Sequence, residues 1–357
     1  MSTDAQDPGA RARRTNALPP PKPADVSRAV GVREITIDWL AGDGSDRCYY
    51  RIRSPQLPGS YVLMQLSESD AKNLAHGEYD WVKMCRLLDE CSIRVPRLVK
   101  LIPDHAALVI EDYGDVMLET VVHELMRSGD FKGVDAFFEL SFGIIAAMLV
   151  IPRSKDAVWC QRAFDQERLT WEMTFFLKHY VDSTHGVALS AEERAAFLRE
   201  SEELARFLGG RPQYFVHRDF HTRNLMVRDG ELAVIDFQDA RLGPAAYDLV
   251  SLCFDSYVPL TLERRLELMA LGINHIAKHG GNKLGTEIGT HWQAMLLQRQ
   301  LKAIGSFGYL TIAKKRGNYL RYVLPALMTL DSEVVADERW PFISTTLIER
   351  MRAGVKG

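Results

Sequence analysis

The 357-residue sequence has few cysteines, no long apolar segment and almost no net charge. Its five cysteines are scattered and form no C-x-x-C pair, which argues against both a disulfide framework and a cysteine-pair zinc site. The 44 basic and 47 acidic residues leave a net charge of −3, so the basic surplus of proteins that bind duplex DNA or anionic membranes is missing. We therefore expect reduced thiols and no binding to nucleic acid or membrane.

Apolar runs are also too short for a membrane helix. The most apolar stretch, residues 137–151, contains Glu139 and is shorter than the ~20 residues that span a bilayer. Arginines near the N-terminus are followed by PPPKP rather than by the apolar region of a secretion signal. The sequence thus predicts a cytoplasmic protein.

Hydrophobic patterning divides the chain into three regions. Residues 1–32 are rich in Pro, Ala, Arg, Asp and Ser without a hydrophobic period, and we expect a disordered tail. Residues 33–112 alternate apolar and polar side chains in short runs around one amphipathic helical stretch, and residues 113–357 show mainly long helical patterns. The predicted fold class is α+β, with a small antiparallel β-lobe followed by a larger, mainly helical lobe.

One segment places several polar side chains at the ends of short apolar runs. The apolar run Tyr-Phe-Val is followed directly by His217, and Asp219, His221 and Asn224 come next within one loop. Two further apolar runs, joined by an Asp-Gly turn, return the chain to Asp236. A hairpin with this spacing would bring Asp219, Asn224 and Asp236 together.

These residue types suit phosphoryl transfer. The reaction needs a carboxylate to orient the attacking hydroxyl, and hard oxygen ligands for the Mg²⁺ that accompanies the phosphates of ATP. Asp219 is the candidate for the first role, and Asn224 and Asp236 are the candidate metal ligands. A lone Asp or Asn is more often a cap or turn residue, so the prediction depends on the whole constellation.

Neighbouring polar residues have other expected roles. His217 and His221 are interpreted as hydrogen-bonding groups that fix the loop rather than as catalysts. Asp239 is either a further metal or substrate contact or a solvated loop charge. Asp248 lies at a predicted helix start and is interpreted as structural support of the loop.

The segment HRDFHTRN, followed by IDFQD, resembles the HGDLHxxN…ID(W/F)xD pattern of the aminoglycoside phosphotransferase and choline kinase superfamily. Asp219 precedes Asn224 by five residues and Asn224 precedes Asp236 by twelve, as in that pattern. The resemblance runs from about residue 33 to the end of the chain. It implies a protein-kinase-like two-lobe fold, ATP as phosphate donor, Mg²⁺ as cofactor and a small-molecule acceptor.

The resemblance also implies a nucleotide site in the first lobe. Gly42, Gly44 and Ser45 lie between the first two predicted strands, where the nucleotide loop of kinases belongs, although such a turn is equally compatible with a plain hairpin. A later apolar run ends where the hinge between lobes is expected, and the backbone of Ile110 and Asp112 would meet the adenine.

The third predicted strand lacks a residue that kinases commonly use. Met64 stands where a lysine would hold the α- and β-phosphates, which leaves Glu78 without its usual partner. Either Mg²⁺ and the glycine loop compensate, or Lys72 or Arg51 takes the place of the lysine. The absence keeps open a non-catalytic nucleotide-binding protein, although the base and both metal ligands are retained.

A finer resemblance is to bacterial kinases of cell-wall recycling, which phosphorylate the anomeric hydroxyl of N-acetylmuramate and N-acetylglucosamine. It is carried by DGSDRCYYRIR, by Met64 in place of the lysine, by VIDFQDARLGPAAYDLVSL and by QRQLKAIG. It implies a sugar 1-kinase of peptidoglycan recycling, with a kinase of aminoglycosides or choline as the alternative.

The acceptor contacts are expected around the metal ligand and on one helix. Arg223 or Arg241 would bind a muramate carboxylate, whereas Trp171 and Phe175 are interpreted as a core pair rather than a sugar platform. The candidate acceptor residues are Asp239, Arg241, Arg223 and Glu172.

Overall fold

The structure, a computed structural model, describes residues 18–42, 47–57, 59–77, 79–184 and 187–355. It divides into two compact units, Met1–Asp115 with Ala233–Gln238 and Val116–Leu232 with Asp239–Gly357. The sequence analysis assigned residues 233–238 to the second lobe. They belong to the first unit because the backbone N–H of Val234 donates to the carbonyl oxygen of Arg94 at 2.9 Å.

The first unit contains a five-stranded sheet, which confirms the predicted small antiparallel sheet. Its strands, in the spatial order β1-β2-β3-β5-β4, are all antiparallel to their neighbours. Val62, Leu63 and Met64 on β3 are buried on both faces of the sheet, as expected for a central strand. The strands are β1 Thr36–Gly42, β2 Cys48–Arg53, β3 Ser60–Gln65, β4 Leu98–Ile102 and β5 Ala107–Glu111.

Three helices accompany this sheet, where the sequence predicted one. The helix α1 begins with Pro23 in its first turn and ends at Gly31, whose φ of 74° suits a glycine C-cap. Val26 is buried with Tyr50 of the sheet. The prediction of a disordered tail is therefore wrong for residues 23–30. The helices are α1 Pro23–Val30, α2 Glu68–Ala75 and α3 Asp80–Glu90.

The second unit is mainly helical, as predicted. Among the described residues no helix is long and apolar enough to cross a membrane. Its helices are α4 Leu118–Ser128, α5 Phe131–Leu149, α6 Gln166–Phe176, α7 Ala191–Gly209, α8 Tyr247–Cys253, α9 Leu262–Gly280, α10 Asn282–Gly308, α11 Val323–Thr329, α12 Ser332–Val335 and α13 Ile348–Val355.

Short strands interrupt these helices around the polar segment. The strand β6, Gln213–Val216, pairs antiparallel with β9, Arg241–Pro244, which the sequence did not predict. The strands β7, Leu225–Arg228, and β8, Glu231–Val234, follow the loop and form a second two-stranded sheet. The loop that bears Asp219 thus begins at the end of β6 and ends at the start of β7.

The helices α10 and α6 approach each other closely. A Cβ atom on Gly305 of α10 would lie 2.6 Å from the Cα atom of Phe176, so a larger residue would force the helices apart. Gln298 and Lys302 precede Gly305 by about two turns and one turn, which places all three on one face of α10. Gln298 reaches Glu172 on α6 from this face, with an N–O distance of 2.9 Å.

Candidate active site

The first half of the loop between β6 and β7 is held by Asp248 of α8. The buried carboxylate accepts the backbone N–H of His217 at 2.6 Å and that of Arg218 at 3.1 Å. Burial raises the pKa of Asp248 to about 6, against the opposing effect of His217 and these hydrogen bonds. Arg218 has a φ of 85°, an uncommon conformation for a residue with a side chain. The loop backbone is therefore constrained at the residue that precedes Asp219.

Asp255 and Asn224 hold the second half of the loop. One carboxylate oxygen of Asp255 accepts both the backbone N–H of Thr222 at 2.9 Å and its hydroxyl at 2.5 Å. The side-chain amide of Asn224 donates to the carbonyl oxygen of Asp219 at 2.8 Å. Since the amide nitrogen is engaged as a donor, Oδ1 is the atom of Asn224 suited to bind a cation.

Three cations surround the carboxylate of Asp219. The ammonium group of Lys302 lies 2.9 Å from Oδ1, a guanidinium nitrogen of Arg299 lies 3.4 Å from the same oxygen, and Nε of Arg218 lies 3.7 Å from Oδ2. Burial opposes the charge of this carboxylate, but Lys302, Arg218 and Arg299 outweigh it and hold the pKa of Asp219 well below its usual range. Asp219 is thus ionised at neutral pH and suited to orient a hydroxyl group.

Sequence reasoning missed Lys302 and Arg299. Both lie on α10, 83 and 80 residues after Asp219, and both are buried. A signal was available in the segment QRQLK, where Gln298, Arg299, Gln300 and Lys302 place four polar side chains in an otherwise apolar helical stretch. All four are buried, so this stretch turns polar groups toward the interior.

Each of the two histidines of the loop contacts an aromatic ring. The ring of His217 lies edge-on to Phe220, with 5.7 Å between centroids, and the ring of His221 lies edge-on to Tyr257 at 5.3 Å. Burial lowers the pKa of His221 to about 4, so its ring is neutral at pH 7.

Further arginines lie beside Arg218. Asp239 is 3.4 Å from Arg218 and 3.8 Å from Arg162, and its side chain is half exposed. The pKa of Arg241 is lowered, first by burial and then by the neighbouring charges of Arg218 and Arg168. Cations are therefore in excess here, and an additional negative charge would be stabilised.

Several buried polar atoms near these arginines have no hydrogen-bond partner among the described residues. They include Nε of Arg168, Nε of Arg218, Oε1 of the fully buried Glu172 and the hydroxyl of Tyr247. Arg168 and Glu172 are 3.9 Å apart, beyond hydrogen-bond distance. Because unpaired buried polar atoms are rare in native proteins, this group marks a place where a polar ligand would be stabilised.

Trp171, which follows Arg168 by one turn of α6, is 48% exposed. The guanidinium carbon of Arg168 lies 4.2 Å from the centroid of its ring, and the ring of Phe175 lies 5.2 Å away. The interpretation of Trp171 as a core residue is therefore wrong. An exposed aromatic ring beside a polar site is a surface on which a sugar can pack.

Arg223, by contrast, is already engaged. Its guanidinium group donates to both carboxylate oxygens of Glu119 at 2.8 and 2.7 Å and to the hydroxyl of Tyr322 at 2.6 Å. Its guanidinium carbon also lies 3.8 Å from the ring centroid of Tyr257. Arg241, the other arginine expected to bind an acceptor carboxylate, is buried and donates from Nε to the carbonyl oxygen of Asp239 at 3.2 Å.

Asp236 belongs to the first unit. It has a φ of 62°, and its carboxylate accepts the side-chain amide of Gln238 at 2.7 Å. The next residue, Phe237, is fully buried and packs on Trp81 of α3, with 5.3 Å between ring centroids. A positive φ in an aspartate stores strain of the kind found at functional sites, and here the packing of Phe237 helps to hold it.

The expected nucleotide residues are only partly within the described residues. Gly44, Ser45 and Glu78 lie outside them, and Gly42 ends β1. Ile110 pairs with Val62 of β3.

Asp112 and Arg51 form a closed group in the first unit. The carboxylate of Asp112 accepts Nε of Arg51 at 2.6 Å, the hydroxyl of Ser60 at 2.6 Å and the backbone N–H of Gly114 at 2.9 Å. Arg51 also donates to Asp115 at 2.9 Å. Arg51 therefore serves a structural ion pair and does not replace the missing lysine.

Comparison with known proteins agrees with this description. Residues 39–275 match the model of a family described as "APH: Phosphotransferase enzyme family". A similar protein of Neisseria meningitidis serogroup B, named N-acetylmuramate/N-acetylglucosamine kinase, is 28% identical over 86% of this chain and 92% of its own length. One of the same name from Pseudomonas aeruginosa is 29% identical over 67% of this chain and 68% of its own.

Solved structures show the same fold. The ADP-bound aminoglycoside phosphotransferase APH(2'')-Ib superposes with a TM-score of 0.56 at 14% sequence identity and covers 85% of this chain and 97% of its own. At this identity the likeness concerns the fold, and it confirms the predicted kinase-like class.

Proposed function

Since this chain belongs to the phosphotransferase enzyme family, we propose that it is a cytoplasmic, ATP- and Mg²⁺-dependent kinase of an N-acetyl amino sugar. The acceptor atom is the anomeric hydroxyl of N-acetylmuramate or N-acetylglucosamine, and the reaction belongs to peptidoglycan recycling. The names of the similar bacterial proteins support this choice of acceptor. The observation that carries the proposal is the ionised Asp219, held at the centre of a loop that is anchored from both ends.

The charges around Asp219 support an acceptor that is neutral or anionic. Five cations lie at ion-pair distance from three carboxylates, and Arg241 and the buried Asp248 add one charge of each sign, which leaves an excess of positive charge. A polycationic aminoglycoside would be repelled by this excess. The five cations are Arg162, Arg168, Arg218, Arg299 and Lys302, and the three carboxylates are Asp219, Asp239 and Glu172.

Asp219 would act by orienting the acceptor and receiving its proton. The hydroxyl group donates a hydrogen bond to the carboxylate, and its oxygen attacks the γ-phosphorus of ATP. The new bond to phosphorus forms as the bond to the leaving oxygen of ADP breaks, and the proton passes to Asp219. A carboxylate with a low pKa is a weak base, and an anomeric hydroxyl, which is more acidic than an ordinary alcohol, is an acceptor that depends less on a strong base.

The donor set suits Mg²⁺ bound mainly through phosphates. Asn224 offers an amide oxygen and Asp236 a carboxylate, and these are the ligand types that Mg²⁺ accepts alongside substrate phosphates and water. When bound, Mg²⁺ would neutralise charge on the phosphates of the nucleotide.

A panel assay tests this proposal. ADP release is measured with N-acetylmuramate, N-acetylglucosamine, choline and aminoglycosides, and phosphorus NMR identifies the product. We expect release with the N-acetyl amino sugars and a sugar 1-phosphate signal. A sugar 6-phosphate, or turnover confined to choline or aminoglycosides, would refute the anomeric assignment. Nucleotide binding without transfer to any hydroxyl would favour a non-catalytic nucleotide-binding protein.

A further inference from the structure

The first unit has no lysine at the strand position where kinases hold the nucleotide phosphates. Met64 occupies that position on β3, fully buried, between Tyr49 of β2 and Leu108 of β5. Arg51 is committed to Asp112 and Asp115, and Lys72 is exposed on α2. Of the two side chains considered from the sequence, Arg51 is therefore engaged elsewhere and Lys72 lies on the exposed side of α2.

Arg47, which immediately precedes β2, is a better candidate. Its side chain is only 12% exposed, and its Nε lies 3.7 Å from a carboxylate oxygen of Asp70 on α2. Burial opposes its charge, but Tyr49, Tyr79, Asp70 and Asp236 outweigh burial and raise its pKa. A permanent cation therefore lies in the electrostatic range of Asp236, the expected metal ligand.

The contact between Arg47 and Asp70 differs from the ion pair that Arg53 of β2 forms with Asp38. Arg53, at the other end of β2, forms an exposed ion pair with Asp38 at 2.6 Å. The 3.7 Å separation at Arg47 is longer than a hydrogen bond, so Asp70 orients the guanidinium group without saturating it. Such a group can still offer its planar fork to a phosphate.

We propose that Arg47 binds the α- or β-phosphate of the nucleotide, in the role that a third-strand lysine has in other kinases, and that Asp70 positions it. The proposal rests on the proposed function only in taking a nucleotide as the phosphate donor. Arg47 and Asp236 would then approach the phosphates together, one as a fixed positive charge and the other as a ligand of Mg²⁺.

Calorimetry measures the binding of ADP and of adenosine, each in the presence of Mg²⁺ and without an acceptor. Because only ADP carries phosphates, the comparison separates phosphate recognition from a loss of folding. The substitution Arg47→Met is expected to weaken ADP binding about ten- to hundredfold, because a charge-assisted contact is lost, while adenosine binds as to wild type. Arg47→Lys should recover part of the ADP affinity. Arg53→Met, which removes an arginine paired with an aspartate at the far end of β2, should change neither. Thermal unfolding of each variant shows whether the fold is retained.

The alternative role of Arg47 as a purely structural partner of α2 has a different signature. Unchanged ADP affinity in Arg47→Met would overturn the proposal, as would an equal loss of ADP and adenosine binding with a lowered Tm. A different result is that the wild type transfers phosphate to no sugar while Arg47→Met still loses ADP affinity selectively. That result would refute the proposed acceptor and leave the phosphate role of Arg47 in place. If the wild type binds no nucleotide, both proposals fail.

Discussion

Two arginine clusters of the second unit differ in how completely their charges are paired. Arg223 is saturated by two bonds to Glu119, one to Tyr322 and a stacked contact with Tyr257. Around Arg218 the distances to carboxylates are 3.4 and 3.7 Å, and its buried Nε makes no hydrogen bond with the described residues. We call Arg223 with Glu119, Tyr257 and Tyr322 the closed cluster. The open cluster comprises Arg162, Arg168, Arg218, Arg241, Arg299 and Lys302 with Asp219, Asp239 and Glu172.

The difference separates charges that stabilise the fold from charges placed for a ligand. A bidentate arginine–carboxylate pair supports packing and gains little from a further partner. A buried excess of cations costs folding free energy, and a protein retains it where a ligand or a transition state carries the opposite charge. The closed cluster therefore predicts effects on stability, and the open cluster predicts effects on turnover.

The largest effect is expected at Asp219 in the open cluster. Replacing Asp219 by Asn removes the group that we propose orients the hydroxyl and receives its proton, and kcat should then fall by a factor of roughly 10³ or more. The variant also leaves Lys302 and Arg299 without their carboxylate and should lose stability. Initial-rate kinetics and urea unfolding measure the two losses.

A charge-compensated variant distinguishes these effects. In Asp219→Asn with Lys302→Met the negative and the positive partner are both removed, so much of the lost free energy of unfolding should return. Turnover should not return. Recovery of activity in the double variant would mean that the single variant failed by misfolding and that Asp219 is not the catalytic group.

A smaller and opposite pattern is expected in the closed cluster. Arg223→Gln removes the partner of Glu119, and the free energy of unfolding should fall by roughly 2 to 3 kcal/mol because both side chains are mostly buried. Urea unfolding gives this value, and the KM for the acceptor, measured at a temperature where the variant is folded, should stay near that of wild type. A large rise in the acceptor KM without loss of stability would contradict the distinction between the clusters.

His291 is a buried histidine of α10 that makes the fold sensitive to acid. Its Nδ1 lies 3.5 Å from a carboxylate oxygen of Glu287, but burial, with the charge of Arg211, lowers its pKa to about 4. The unfolded chain protonates near pH 6.5, so stability is complete above that pH and falls as the pH drops from 6.5 toward 4.

At pH 5 the loss assigned to His291 is about 2 kcal/mol relative to neutral pH. Between pH 7 and pH 5 the free energy of unfolding of His291→Leu should therefore fall by about that much less than that of wild type, as urea unfolding at the two pH values measures. The variant should still lose some stability, because His221 contributes in the same direction. An identical loss in the variant would show that His291 is not a source of acid sensitivity.

The short-range parts of the site could be predicted from the sequence. The spacing of Asp219 and Asn224 describes one loop, and Cys48–Arg53 alternates as a strand should. Part of the open cluster was predicted, since Asp219, Asp239, Arg241 and Glu172 were candidate site residues from the sequence. Lys302 and Arg299 could not be predicted, because they reach Asp219 only through the packing of α10. The strand β9 was missed for the same reason, since four residues with Gly and Pro become a strand only by pairing with β6.

The smallest effect is expected at Arg168, at the edge of the open cluster. Its side chain is 30% exposed, and it stacks on Trp171. If this arginine helps to bind the carboxylate of N-acetylmuramate, Arg168→Gln should raise the KM for that acceptor by about tenfold, while kcat, the KM for ATP and the KM for uncharged N-acetylglucosamine change little.

Arg206→Gln, which removes an exposed arginine of α7, is the matched control. An equal rise in KM for both sugars would mean that Arg168 acts through Trp171 on the sugar ring, and a rise in the KM for ATP alone would assign it to the nucleotide.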